Sequence, residues 1–174
     1  MKDGEQNQTK SMVMTFYNYA QRRGRLLSAA LAVTRASTPA FSALYIITAL
    51  LLLFFWRGVL ILYLAVPAAA LVVGLSTRRL IRRKRPCTKY GLTTEYSIKS
   101  SFSCPSNHAV CTCAVSFACM YVNLWFGLAV LAAAVFSCMC RIFLALHYPS
   151  DIMVGYAIGG LVALVGYSII PALL

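Results

Sequence analysis

The sequence predicts an all-α membrane helix bundle, with about five transmembrane helices and an N-terminal interfacial amphipathic helix. Three observations carry that prediction. First, 60% of the 174 residues are hydrophobic and the mean hydropathy is +0.75, more apolar surface than a soluble domain of this size can hide. Second, uncharged runs long enough to cross a bilayer recur along the chain. Third, the 16 Lys and Arg outnumber four acids, for a net charge of +12. These cations cluster beside the apolar runs instead of spreading over a polar surface, which points to a lipid bilayer as partner and away from nucleic acid.

Taken in order, residues 1–11 read as a mobile polar terminus. Residues 12–35 mix Met, Phe, Tyr and Leu with Arg22, Arg23, Arg25 and Arg35. They are too charged to span and fit an interfacial amphipathic helix; no signal-peptide pattern is present. The membrane domain is expected over 36–174. Ala36–Trp56 is 21 residues without charge, and Gly58–Thr77 is a second run after a turn at Trp56–Arg57. Arg78–Pro105 is the long polar loop. Ser100–Cys140 carries no charge apart from a protonated His108 and holds two spans, with a turn near Asn123–Leu124. The first of these, from about Ala109 to Val122, is short, so tilt or shielding by protein is expected. Ile152–Leu174 is the last span, and its Gly155, Gly159 and Gly160 offer a small-residue face for close packing. Most of the seven cysteines lie in apolar runs and read as reduced, small hydrophobes.

Polar groups in such a chain need a reason. In "RRLIRRKRP" (78–86), Arg78 and Arg85 are seven residues apart and can share a helix face; read alone, the stretch is a basic flank. Pro105-Ser106-Asn107-His108 suits a helix start, with Ser106 as N-cap and free amides that bind an anion; read alone, His108 is an interfacial histidine. In "RIFLALHYPSD", Asp151 is the last acid of the chain and His147 its nearest partner. That contact would fix the ring's tautomer and leave the other nitrogen nucleophilic; read alone, it is a topological Arg and a capping Asp. With the spans as counted, all three segments fall on one side of the membrane. Two histidines, one aspartate and at least three arginines then form a receptor for a phosphoryl group, with no pair of carboxylates for a divalent metal.

These segments resemble the type-2 phosphatidic acid phosphatase superfamily of membrane lipid phosphatases, whose pattern is K-x6-R-P, P-S-G-H and S-R-x5-H-x3-D. This chain reads R-x6-R-P at Arg78–Pro86, P-S-N-H at Pro105–His108 and C-R-x5-H-x3-D at Cys140–Asp151. The resemblance covers roughly residues 36–174. It implies His147 as the nucleophile that forms a phosphohistidine, Asp151 as its orienting partner and His108 as general acid. It implies Arg78, Arg85 and Arg141 as phosphate clamp, completed by Ser106 and the amide of Asn107, with no metal and no cofactor. Three positions depart from the pattern. Arg78 stands for lysine, Asn107 for glycine (a fair substitute if the backbone there needs positive φ) and Cys140 for serine.

Charge also suggests an orientation. Six cations before residue 36, eight from Arg78 to Lys99, and Arg141 lie on one side, which makes 15 of 16; Arg57 alone lies opposite. The positive-inside rule then puts the N-terminus and the site at the cytoplasmic face of the cell membrane. A cytoplasmic site favours phosphatidylglycerol phosphate, phosphatidic acid or a polyprenyl-linked phosphate, the lipid entering sideways between spans; an outward site favours undecaprenyl diphosphate. Other readings are a non-catalytic lipid-binding scaffold, a metal or haem site on Cys104, His108, Cys111 and Cys113, and phosphate transfer to an acceptor other than water. The sequence leaves the oligomeric state open.

Overall fold

The computed structural model describes residues 2–94, 96 and 102–173, without the side chains of 2–6 and 169–173. Lys99, among the cations counted above, and Leu174, the expected end of the last span, lie outside the described residues. The described chain is helical: α1 (Lys2–Gln21), α2 (Gly24–Phe55), α3 (Arg57–Ile81), the short α4 (Pro86–Tyr90), α5 (Asn107–Val122), α6 (Leu124–Phe143) and α7 (Pro149–Leu173). Four helices, α2, α3, α6 and α7, are long and apolar enough to cross a membrane.

The fifth expected span is α5, whose 16 residues reach only about 24 Å at about 1.5 Å per residue. Its position explains the length. It packs against α3, α6 and α7, and nine of its residues, from Ala109 to Cys119, are buried. A helix enclosed by protein need not match the lipid thickness. Close approach of α7 makes this possible. A Cβ on Gly155 would sit 2.8 Å from Ala109 Cβ, and one on Gly159 would sit 2.5 Å from the Val110 carbonyl oxygen. Gly160 is different, since its nearest neighbour would be 3.8 Å away. The small-residue face therefore runs through Gly155 and Gly159 only.

The N-terminal expectation needs correction. Helix α1 already begins at Lys2, inside the segment expected as a mobile tail, and there is no single helix over 12–35. The break falls at Arg22–Arg23, where Gly24 and three like charges in four residues disfavour helix. Beyond it α2 runs unbroken for 32 residues through the boundary expected at Arg35, about 48 Å at about 1.5 Å per residue. The charge that marks entry into the membrane does not stop the helix, and Pro39 is accommodated within it. Helix α1 packs Val13 against Cys87, Ala145 and Tyr148, and Phe16 edge-on against Phe143 at 5.8 Å. It thereby buttresses the loops that carry the polar residues.

Pro67 lies inside α3 and cannot bond the carbonyl of Tyr63. The Tyr45 hydroxyl of α2 donates to that carbonyl and to that of Leu64, each at 3.2 Å. At the opposite end of the bundle, the turns α2–α3 and α5–α6 expose Trp56 and Trp125. These are the chain's two tryptophans, placed as an interfacial belt.

Gly159→Ala should destabilise the protein by about 1–3 kcal/mol of overpacking, read as a lower melting temperature in detergent, whereas Gly160→Ala should leave that temperature nearly unchanged. Equal effects of the two substitutions would contradict the α5–α7 contact.

Candidate active site

The ends of α3, α6 and the loops converge with the starts of α5 and α7 at one end of the bundle. Arg78 closes α3. The chain then turns at Arg82, whose φ is 48°, so Arg85 is not on the same helix face as Arg78, as the spacing suggested. It precedes Pro86 at the start of α4 and reaches the site by the turn. Arg78, Arg85 and Arg141 are each less than a tenth exposed. Carbonyls and hydroxyls hold them. Arg78 donates to the Phe102 carbonyl, and Arg85 to that of Leu146 at 2.8 Å. Arg141 donates to Ser37 and Thr38 Oγ at 3.2 Å and to the Thr34 carbonyl at 3.4 Å. Burial, with Arg78 and then Arg141 nearby, pulls the Arg85 guanidinium down to about 10, still protonated at neutral pH. Among the described residues, the buried Nε atoms of Arg78 and Arg141 have no hydrogen-bond partner.

His147 sits in the α6–α7 loop, 4% exposed. Its Nδ1 is 2.9 Å from the Ser103 carbonyl oxygen, and its Nε2 is 3.2 Å from Arg85 Nη1. A carbonyl only accepts and a guanidinium only donates. Nδ1 therefore carries the proton and Nε2 presents its lone pair. The orienting contact differs from expectation here. Asp151 Oδ2 is 3.8 Å from Nδ1, beyond a hydrogen bond. Its carboxylate instead accepts from Tyr148 N at 2.9 Å and from Arg83 Nη1 at 3.0 Å. Asp151 supplies the field, and Ser103 the bond. Burial pushes the His147 imidazolium down to about 4, opposed by Asp151 and aided by Arg85, so the ring is neutral at physiological pH.

Ser106 caps α5, its Oγ accepting from Ala109 N at 3.4 Å. The next two amides, Asn107 and His108, belong to the first turn, which lacks intrahelical acceptors. Asn107 is not among the residues with positive φ, because it opens the helix in ordinary helical geometry; glycine's freedom is not needed there. Among the described residues its buried side-chain Oδ1 has no partner; that oxygen is an acceptor, which leaves the backbone amide as the donor facing outward from the helix start. His108 Nε2 lies 2.9 Å from Ser137 Oγ. That hydroxyl donates to the Ala134 carbonyl, so the ring donates from Nε2 and keeps Nδ1 free of this bond. His108 lies within electrostatic range of Arg141 and His147. It also borders a cavity of about 530 Å³ between α2, α3 and α5, walled by Phe41, Tyr45, Pro67 and Leu71.

A model of the PAP2 superfamily matches residues 58–173, a span that contains all three motifs. The chain belongs to the PAP2 superfamily. The fold agrees with a solved structure titled "Crystal structure of the first transmembrane PAP2 type phosphatidylglycerolphosphate phosphatase from Bacillus subtilis", with a TM-score of 0.75 and 19% identity. That match covers 94% of this chain and 84% of the other. A comparison with curated proteins gives no significant match. This PAP2 chain is a multi-pass membrane protein, and its fold brings the motif residues to one end.

Sequence reasoning missed several groups that hold the PAP2 motif residues. Thr34, Ser37 and Thr38 have i, i+3, i+4 spacing, a polar face at the start of a span. Ser137 lies one turn before Arg141. Both signals were present. Ser103 and Arg83 carry none, since only the folded loop reveals them. The Cys104, His108, Cys111 and Cys113 alternative finds no support. Among the described residues no three His, Cys, Asp or Glu groups gather as a metal site, and all seven cysteines are free thiols.

The buried neutral His147 makes stability pH-dependent. Its folded value of about 4 lies below its ordinary 6.5, so its contribution is complete above about 6.5 and is lost as pH falls toward about 4. The melting temperature should therefore drop over that interval, and drop less in His147→Gln. Parallel pH curves for the two proteins would contradict a buried neutral ring.

Proposed function

We propose that this protein is an integral membrane phosphatase that removes phosphate from a lipid phosphate through a phosphohistidine on His147. The observation that carries the reading is the Nε2 lone pair of a buried, neutral imidazole facing Arg85, inside a cluster of three buried arginines. The guanidiniums and the Asn107 amide neutralise and orient the phosphate oxygens. Nε2 attacks phosphorus, an N–P bond forms, and the P–O bond to the lipid breaks. His108, which keeps its Nε2 proton on Ser137 and takes a second proton at Nδ1 from solvent as the phosphate binds, gives that Nδ1 proton to the departing oxygen. Water then attacks phosphorus as His108 takes its proton, the N–P bond breaks, and inorganic phosphate leaves. The arginines supply the positive charge these steps need, so no metal is required.

The apolar cavity beside His108 supports a lipid substrate, because its walls suit an acyl or prenyl chain entering between α2 and α3. Phosphatidylglycerol phosphate, phosphatidic acid and polyprenyl-linked phosphates all present this chemistry. We place the site and the N-terminus in the cytoplasm on the cation asymmetry.

Purified protein should release phosphate from at least one of these lipids, equally with and without chelator. His147→Ala should abolish turnover, and His108→Ala should reduce it about 10²- to 10⁴-fold. Full activity of His147→Ala would end the nucleophile assignment, and loss of activity with chelator would end the metal-free reading. A reporter fused to the N-terminus should report a cytoplasmic location; an external signal would reverse the orientation.

A further inference from the structure

The nucleophile's Nδ1 faces two groups, the Ser103 carbonyl at 2.9 Å and the Asp151 carboxylate at 3.8 Å. One residue outside the family pattern holds both. The Arg83 carbonyl accepts from Ser103 N at 2.7 Å and from its Oγ at 3.3 Å, within the pairing of Lys84 with Phe102. The Arg83 side chain donates from Nη1 to Asp151 Oδ1 at 3.0 Å and to Ser150 Oγ at 2.8 Å, with its guanidinium 3.9 Å above the Tyr148 ring. An exposed ion pair would matter little. This one reaches a carboxylate that is 0% exposed, while Arg83 itself is 36% exposed. It links solvent to the one acid of the site among the described residues.

We infer that Arg83 is a positioning residue for the nucleophilic histidine: it holds Asp151 aligned and offsets its charge, and its backbone fixes the Ser103 carbonyl that accepts the hydrogen bond from Nδ1. The inference rests on the reading of His147 as nucleophile. Arg83 does not reach the phosphate clamp by any contact described above, so its effect passes through Asp151.

The charged and titratable groups around the ring set the sign. Arg85 from the start of α4, Arg141 from α6 and His108 from α5 oppose its protonation, and Asp151 from α7 favours it. Arg78 at the end of α3 also faces Asp151 and keeps it charged when Arg83 is neutralised. Removing the Arg83 charge then leaves the field of Asp151 less compensated, and the ring takes a proton more readily.

The test uses the full-length protein in detergent, labelled with ¹⁵N-histidine; the two rings are assigned with His108→Gln. In the wild type His147 should show a protonated Nδ1 and a bare Nε2. Arg83→Gln, which keeps the backbone bonds, should raise the His147 titration midpoint by about one pH unit, and Arg83→Lys should return it most of the way. Should Arg83→Gln fail to fold, Ser150→Ala, which removes the second anchor of the same guanidinium nitrogen, should give a smaller rise. A midpoint that does not rise overturns the inference. These titrations need no substrate, so they decide the role of Arg83 separately from the phosphatase reading, which fails if the wild type releases no phosphate. On an active enzyme Arg83→Gln should lower kcat about tenfold, the lower end of the cost of losing an outer partner of a functional histidine, with KM nearly unchanged. A rise in KM alone would make Arg83 a substrate contact and overturn the inference.

Discussion

Burial of like charge is the constraint from which the rest of this structure follows. Three guanidiniums lie at one end of an apolar bundle, each less than a tenth exposed, and the carboxylate among them is Asp151. Placing such groups out of water is costly unless every donor finds an acceptor. The protein meets much of that cost with neutral oxygens: the carbonyls of Phe102, Leu146 and Thr34, and the hydroxyls of Ser37 and Thr38. Neutral acceptors solvate the cations without cancelling them. The site therefore retains a net positive potential in a medium of low dielectric, where a phosphate dianion gains most.

The architecture serves that end. Helix α5 can be short because α3, α6 and α7 surround it, and shortness lets its N-terminal amides stop at the level of the arginines. Glycines at 155 and 159 bring α7 close enough to set Asp151 beside the α5 start, where its carbonyl accepts from Ser106 N at 3.0 Å. Helix α1 packs over the α6–α7 loop and stiffens the turn at Ala145, whose φ is 50°. The turn aims His147 inward. Its electrostatic state follows from that burial: the ring is neutral, and one nitrogen is committed to a carbonyl.

Much of this was legible in the sequence, and the reasons differ by residue. Uncharged runs gave the helices because hydropathy is a direct record of the solvent each residue meets. The motif residues were legible because polar groups beside apolar runs are rare. The N-terminal boundaries were misread for a physical reason: the charges at 22–35 mark the membrane surface, while helix breaks are set by Gly24 and local repulsion. The Asp151 contact was misjudged because spacing shows that two side chains can meet but not which neighbour wins. The Ser103 carbonyl, remote in sequence, accepts the hydrogen bond from Nδ1, and Arg83 competes for the carboxylate. Loop geometry decides such contests, and a loop has no periodicity to read.

The central claim is that the bare Nε2 of His147 becomes covalently bound to phosphorus. Rapid acid-free quenching of the purified protein with a ³²P-labelled lipid phosphate tests it most directly. The account predicts a protein-bound label that is stable in alkali, lost in acid, and located by fragmentation on the peptide carrying His147. Turnover of the same lipid with no such label, or with the label on another residue, would contradict it.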